Sequence, residues 1–237
     1  MTQEKKRIWT IWNDLLNLFF PNLCKVCKRP LIKGEEQICL DCLNSMARTN
    51  YHKYAVDNPV EQRFIGKCPI EKASAFLLYE KDTKVQKLVH SLKYYGHKEL
   101  AYVIGRQMAL ELHADHSPLC NVDILIPVPL HPRRKQERGY NQSEWIAMGI
   151  QSALGIPIDS DCVSRTVRTN TQTKKKRYER WINVYSIFKV DHPERLIGKH
   201  VLLIDDVVTT GSTLTACANA LSEVSGIRIS ILALSTV

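Results

Sequence analysis

The chain has 237 residues, 44% of them hydrophobic and 24% charged. That composition excludes a largely disordered protein, and the length suffices for a core of roughly 150 residues plus a smaller module. No apolar run approaches the roughly 18 residues of a membrane span, and no apolar block followed by small residues marks a signal peptide, so a cytoplasmic protein without stable membrane insertion is expected. The formal net charge of +9 traces to residues 131–139 and 165–180, with four and seven basic side chains against one glutamate each. Charge clustered in this way implies a polyanionic ligand or partner. Eight cysteines in a reducing compartment point to metal rather than disulfides.

Residues 5–20 set Ile8, Ile11, Trp12, Leu15, Leu16 and Phe19 on one helical face, the pattern of a helix docked on its own protein. Surface membrane binding is the minority reading, raised by Lys5, Lys6 and Arg7. Cys24, Cys27, Cys39 and Cys42 then form two CxxC pairs eleven residues apart. Two such knuckles supply a closed tetrahedral thiolate site for a structural Zn2+, which folds a segment too small to fold alone. The N-terminal module is therefore placed at 1–60, as an amphipathic helix and a four-cysteine zinc ribbon, followed by a polar linker at 61–72. Cys68, Cys120, Cys162 and Cys217 are expected as free thiols, Cys217 buried on its helix.

The second domain is placed at 73–237. It opens on a strand, Ala73 to Tyr79, and a helix capped by Asp82 with Val85, Leu88, Val89 and Leu92 on one face. Lys93, Tyr94 and Tyr95 lie at its exit, where a lysine suits the helix dipole as well as it suits a ligand. A further helix is predicted from about Glu99 to Leu112. Asp123 to Leu130 reads as a short strand fraying by Pro127 or Pro129, followed by a basic loop, HPRRKQERGYNQ, and a helix through Leu154. That loop is either a second anion site, suited to pyrophosphate, or a solvated basic turn. Residues 165–183 lack an apolar period and read as a mobile lid; by charge alone they also suit a nucleic-acid-binding loop, with Tyr178 and Trp181 available for stacking.

Near the C-terminus, VLLIDDVVTTGSTL joins a buried strand to Asp205 and Asp206, then to the small run Thr209, Thr210, Gly211, Ser212 and Thr213 at the start of a helix. Orphan amides and the positive dipole end attract an anion there. Two carboxylates beside an anion hole fit a ligand that carries both a phosphate and vicinal hydroxyls, a ribose 5-phosphate. The last strand, Ile229 to Leu234, completes an alternating pattern that favours a mainly parallel sheet.

These segments together resemble a ComF family protein of the ComFC type, over nearly the whole chain. The resemblance rests on PNLCKVCKRPL, the second CxxC, LKYYGHKELA, PVPLHPRRKQERGYNQ, RTVRTNTQTKKKRYERWINV and VLLIDDVVTTGSTL. It implies an α/β type I phosphoribosyltransferase fold, similar to amidophosphoribosyltransferase, beside the zinc module. It also implies a phosphoribosyl pyrophosphate (PRPP) site, with Mg2+ bound alongside PRPP, and a link to DNA uptake in natural competence.

In such a site Asp205 and Asp206 hold the ribose hydroxyls and act as the catalytic pair, Thr209 to Thr213 bind the 5-phosphate, and Val207 also contacts PRPP. The basic segments implicate Leu130, Arg133, Arg134, Arg138, Gly139, Asn141, Gln142, Arg165, Thr169, Gln172, Arg177 or Arg180, and Asn183. Lys174 to Lys176 depart from the family pattern and make the lid more basic. Two function classes follow. One is transfer of ribose 5-phosphate from PRPP to an unidentified acceptor; the other is a non-catalytic PRPP or nucleotide sensor that binds single-stranded DNA alongside competence proteins.

Overall fold

The computed structural model describes residues 21–54, 57–166 and 187–237. The N-terminal amphipathic segment and most of the basic lid, with Thr169, Gln172, Arg177, Arg180 and Asn183, lie outside the described residues. Among the described residues no helix is long and apolar enough to cross a membrane.

In chain order the elements are α1 (Leu40–Ser45), β1 (Lys72–Leu78), α2 (Lys84–Tyr94), α3 (Lys98–Ala114), β2 (Ile124–Pro127), α4 (Pro132–Arg138), α5 (Gln142–Leu154), β3 (Val163–Arg165), β4 (Phe188–Val190), β5 (His200–Val208), α6 (Ser212–Leu221) and β6 (Arg228–Thr236). Four strands form a parallel sheet in the order β1, β6, β5, β2, while β3 and β4 pair as a separate antiparallel ribbon. Such a sheet must be covered on both faces. Alternation along β5 meets this requirement: Leu202 and Ile204 face a core shared with α2, α3 and α5, and Val201 and Leu203 face one shared with α6.

Helices α3 and α5 touch backbone to backbone. A Cβ on Gly105 would lie 2.2 Å from the Ile146 carbonyl oxygen, and one on Gly149 would lie 2.1 Å from that of Tyr102. These two glycines set the helix separation, and through it the position of the first turn of α5 beside β5.

The structure corrects two local expectations. The cap of α2 is Thr83, whose hydroxyl accepts from the Gln86 amide, while Asp82 sits one residue earlier in left-handed backbone (φ 59°). The segment expected as a basic loop is helical: Pro132 occupies the first turn of α4, His131 accepts from the Arg133 amide, and Gly139 (φ 77°) ends the helix. Val60, at the end of the N-terminal module, and Phe64, in the stretch read as a linker, are fully buried. They stand four residues apart, an apolar pair hidden in a polar setting, and join the core under α6. Further upstream, residues 47–49 bond along the edge of β1 away from β6: Leu78 N–H donates to Ala47 O at 2.9 Å and Thr49 N–H to Phe76 O at 3.1 Å. Arg48 forks onto Glu111 of α3 at 2.8 and 2.9 Å and lies over the Phe76 ring.

Candidate active site and metal centre

Strand β5 carries both carboxylates to the C-terminal edge of the sheet, where crevices in parallel sheets receive ligands. The two acids have different surroundings. Asp205 accepts from the Ser143 hydroxyl in the first turn of α5 (3.2 Å) and from the Asp206 amide (2.9 Å). Burial, and then the neighbouring charge of Asp206, push its carboxyl up to about 7. Asp206 instead forms an ion pair with Lys93 at the end of α2, 3.3 Å away. Lys93 thus stands beside the carboxylate pair.

Past Val207 and Val208, the chain turns at Thr209 and Thr210 and enters α6 through Gly211, whose φ of 79° is left-handed. Phe64 closes the space behind it: a Cβ on Gly211 would lie 3.0 Å from the Phe64 ring. Thr209, Thr210, Ser212 and Thr213 are exposed, and the Thr210 and Ser212 hydroxyls pair at 2.8 Å. The Ser212 amide donates to the Thr210 hydroxyl at 3.4 Å, and a helix start with exposed hydroxyls suits a phosphate.

Lys93, the partner of Asp206, also lines a cavity of about 450 Å3 together with Tyr94, Arg134, Glu137 and Arg138. Three cations against one carboxylate suit an anion, and α4 sorts the expected basic residues by face. Arg134 and Arg138, four apart, reach the cavity. Arg133 is exposed and paired with Glu137 at 3.1 Å, so the structure does not bring it in. Leu130 is half-buried in the turn between β2 and α4.

Asn141 and Gln142 are buried, and their amide groups donate to the carbonyls of Val128 and Leu92; they fasten α5 to β2 and α2 instead of facing solvent. Arg165, at the end of β3, stacks on Phe188, and burial with the charge of Arg134 holds it below the usual guanidinium range. Sequence reasoning missed Ser143 and Phe64. Only the apolar spacing of Val60 and Phe64 could have drawn attention to Phe64.

The second centre is the N-terminal cysteine cluster. The sulfurs of Cys24, Cys27, Cys39 and Cys42 all lie within 4.8 Å of one another, and Cys27 and Cys39 are 3.6 Å apart. A tetrahedron with Zn–S near 2.3 Å has edges of about 3.8 Å, so the residues fit such an ion. The Cys39 and Cys42 amides donate to the sulfurs of Cys24 and Cys39 at 3.4 Å, the outer-shell support that thiolate ligands use. Burial opposes ionisation of Cys24, but the amides of Cys27, Cys39 and Val26 outweigh it and bring that thiol down to about 6. Cys24, Val26 and Ile38 belong to the same core as α2 and α3, so the cluster shares a core with the helix that ends at Lys93 and Tyr94.

Residues 102–235 match the phosphoribosyl transferase domain family. The DNA utilization protein YhgH of Shigella flexneri is 31% identical over 211 residues, which cover 86% of this chain and 92% of that protein. Competence protein ComFC of Bacillus subtilis is 34% identical over 102 residues, 42% of this chain and 38% of that protein. The chain belongs to the phosphoribosyl transferase domain family, as a ComF-like member. Among solved structures, the allosteric regulatory enzyme of purine biosynthesis is 16% identical, with a TM-score of 0.42 over 60% of this chain and 30% of that one. A hypoxanthine phosphoribosyltransferase from Staphylococcus aureus is 14% identical, with a TM-score of 0.34 over 59% of this chain and 74% of that one. The family match and the strand order give the ComF-like chain the expected α/β fold, a parallel sheet flanked by helices with a four-cysteine cluster near its N-terminus.

Proposed function

We propose that this ComF-like protein binds PRPP and transfers its ribose 5-phosphate to an acceptor. The observation that carries the reading is the sequence of groups along the end of β5: the carboxylate pair, the small turn, the start of α6, and the Lys93, Arg134 and Arg138 cavity alongside. Asp205 and Asp206 accept the ribose hydroxyls, Thr209 to Thr213 hold the 5-phosphate, and the cavity takes the pyrophosphate. Mg2+, bound with PRPP, would neutralise pyrophosphate as a leaving group. The two carboxylates stabilise the positive charge that develops on the ribose as the bond to pyrophosphate lengthens.

The division into a zinc module over 1–60, a linker over 61–72 and a transferase domain over 73–237 is part of this proposal, as are zinc on the four cysteines and a cytoplasmic location. The printed names of the relatives favour a setting in DNA handling or competence. They also keep a second reading in view, a PRPP-responsive accessory protein that binds single-stranded DNA without turnover.

Calorimetry with PRPP and magnesium tests the site, and a screen of acceptors for pyrophosphate release tests the reaction. Micromolar PRPP binding with acceptor-dependent pyrophosphate supports transfer. Binding without release from any acceptor, combined with salt-sensitive affinity for a single-stranded oligonucleotide, favours the accessory reading. No PRPP binding refutes both.

A further inference from the structure

We infer that Arg63, in the stretch that resembled a linker, is a positioning residue that orients the turn after β5 for the phosphate of a ribose 5-phosphate. This rests on the proposed function of that turn and adds a residue 142 positions away in sequence from Asp205. The half-buried guanidinium donates to three main-chain oxygens: Val208, at 3.1 Å, and those of Thr209 and Val237. Two of these carbonyls belong to consecutive peptides at the point where the strand becomes the turn.

The consequence follows from peptide geometry. The bonds are trans, so each C=O points opposite to the N–H of the same peptide unit. Drawing the Val208 and Thr209 carbonyls onto Arg63 turns the amides of Thr209 and Thr210 to the other side of the turn, away from the guanidinium. With both carbonyls held behind, the front of the turn presents donors to an anion. A released Thr209 peptide could rotate and place a carbonyl oxygen there, which would repel phosphate.

Phe64, the next residue, packs behind Gly211, and the Val237 amide donates to Val208 O at 3.3 Å, so the support is continuous along the back of the turn. Arginine suits the role because its planar fork reaches several acceptors at once and keeps its charge. The 3-10 turn Glu61–Arg63 that presents it is anchored by the buried Asn58 amide group, which donates to Ala73 O at 2.8 Å, while Asn58 Oδ1 accepts the Val60 and Glu61 amides.

The test is calorimetry of the full chain with two probes, ribose 5-phosphate and inorganic pyrophosphate with magnesium, on the wild type and on Arg63→Ala, Arg63→Gln and Arg63→Lys. Arg63→Ala should lose at least tenfold in ribose 5-phosphate affinity and keep pyrophosphate affinity within twofold. Arg63→Lys, which retains charge and one reach but not the fork, should fall between. A general loss of structure would weaken both probes together, so the split between them reports positioning.

Should Arg63→Ala not fold, Arg63→Gln and Arg63→Lys carry the same comparison. Unchanged ribose 5-phosphate affinity in a folded variant, or equal loss for both probes, overturns the inference while leaving the site reading intact. Absence of ribose 5-phosphate binding in the wild type overturns the site reading, and this role with it.

Discussion

Replacing Asp205 with asparagine should stabilise the free protein and weaken its ligand, with opposite signs from one atom change. Moving a carboxyl from its ordinary 3.8 to about 7 corresponds to about 4 kcal/mol against holding it ionised in the folded state. Asparagine keeps the shape and can still accept from Ser143 and the Asp206 amide, but its own NH2 must be accommodated. A net gain of about 2 kcal/mol is therefore expected. For a chain of this size that amounts to roughly 4–8 °C in melting temperature at pH 8.

The pH dependence identifies the cause. Below about pH 4 the carboxyl is protonated in both folded and unfolded states and costs nothing. Between 4 and 7 it ionises only on unfolding, so the advantage of asparagine grows; above 7 it is flat. Calorimetric melts at pH 5 and pH 8 read this directly. In parallel, loss of a charge-assisted bond to a ribose hydroxyl should cost about 1.5–3 kcal/mol of ribose 5-phosphate affinity. A variant that melts at or below the wild type at pH 8, or whose advantage is the same at both pH values, would refute the argument that Asp205 is held against its own ionisation.

Lys93→Ala removes the partner of Asp206 and a charge that lowers the Asp205 carboxyl. The pH midpoint of the Asp205-dependent stability should therefore move above 7, and pyrophosphate affinity should fall by about 1 kcal/mol or more, as measured by titration of melting temperature and by calorimetry. Cys24→Ser should purify with little or no zinc by elemental analysis, against one ion per chain in the wild type, and a chelator should lower the melting temperature of the wild type alone. Arg48→Ala should destabilise by about 1–3 kcal/mol at pH 7, because it leaves Glu111 without its fork. Burial tends to raise the Glu111 carboxyl, but Arg48 and Gln107 outweigh it and hold it low. The wild-type contribution is therefore present above the ordinary carboxylate pKa and disappears as pH falls through the lowered one, so the two proteins should converge in acid urea melts.

What the sequence determined by itself was local and periodic. The two CxxC pairs, the acidic pair followed by TTGST, and the strand and helix alternation each depend on neighbours within a few residues, so spacing alone exposed them. Tertiary structure decided what depends on approach between distant segments. Arg134 and Arg138 differ from Arg133 only in the face of α4 they occupy, and that face could not be assigned while the segment read as a loop. Lys93 gained its role when α2 ended beside β5, Ser143 when Gly105 and Gly149 let α3 and α5 pack together. Arg63 lies in a stretch with no motif to single it out. Only the fold set its guanidinium against carbonyls from the far end of the chain, because unpaired main-chain oxygens must find donors and no sequence pattern records which donor comes near.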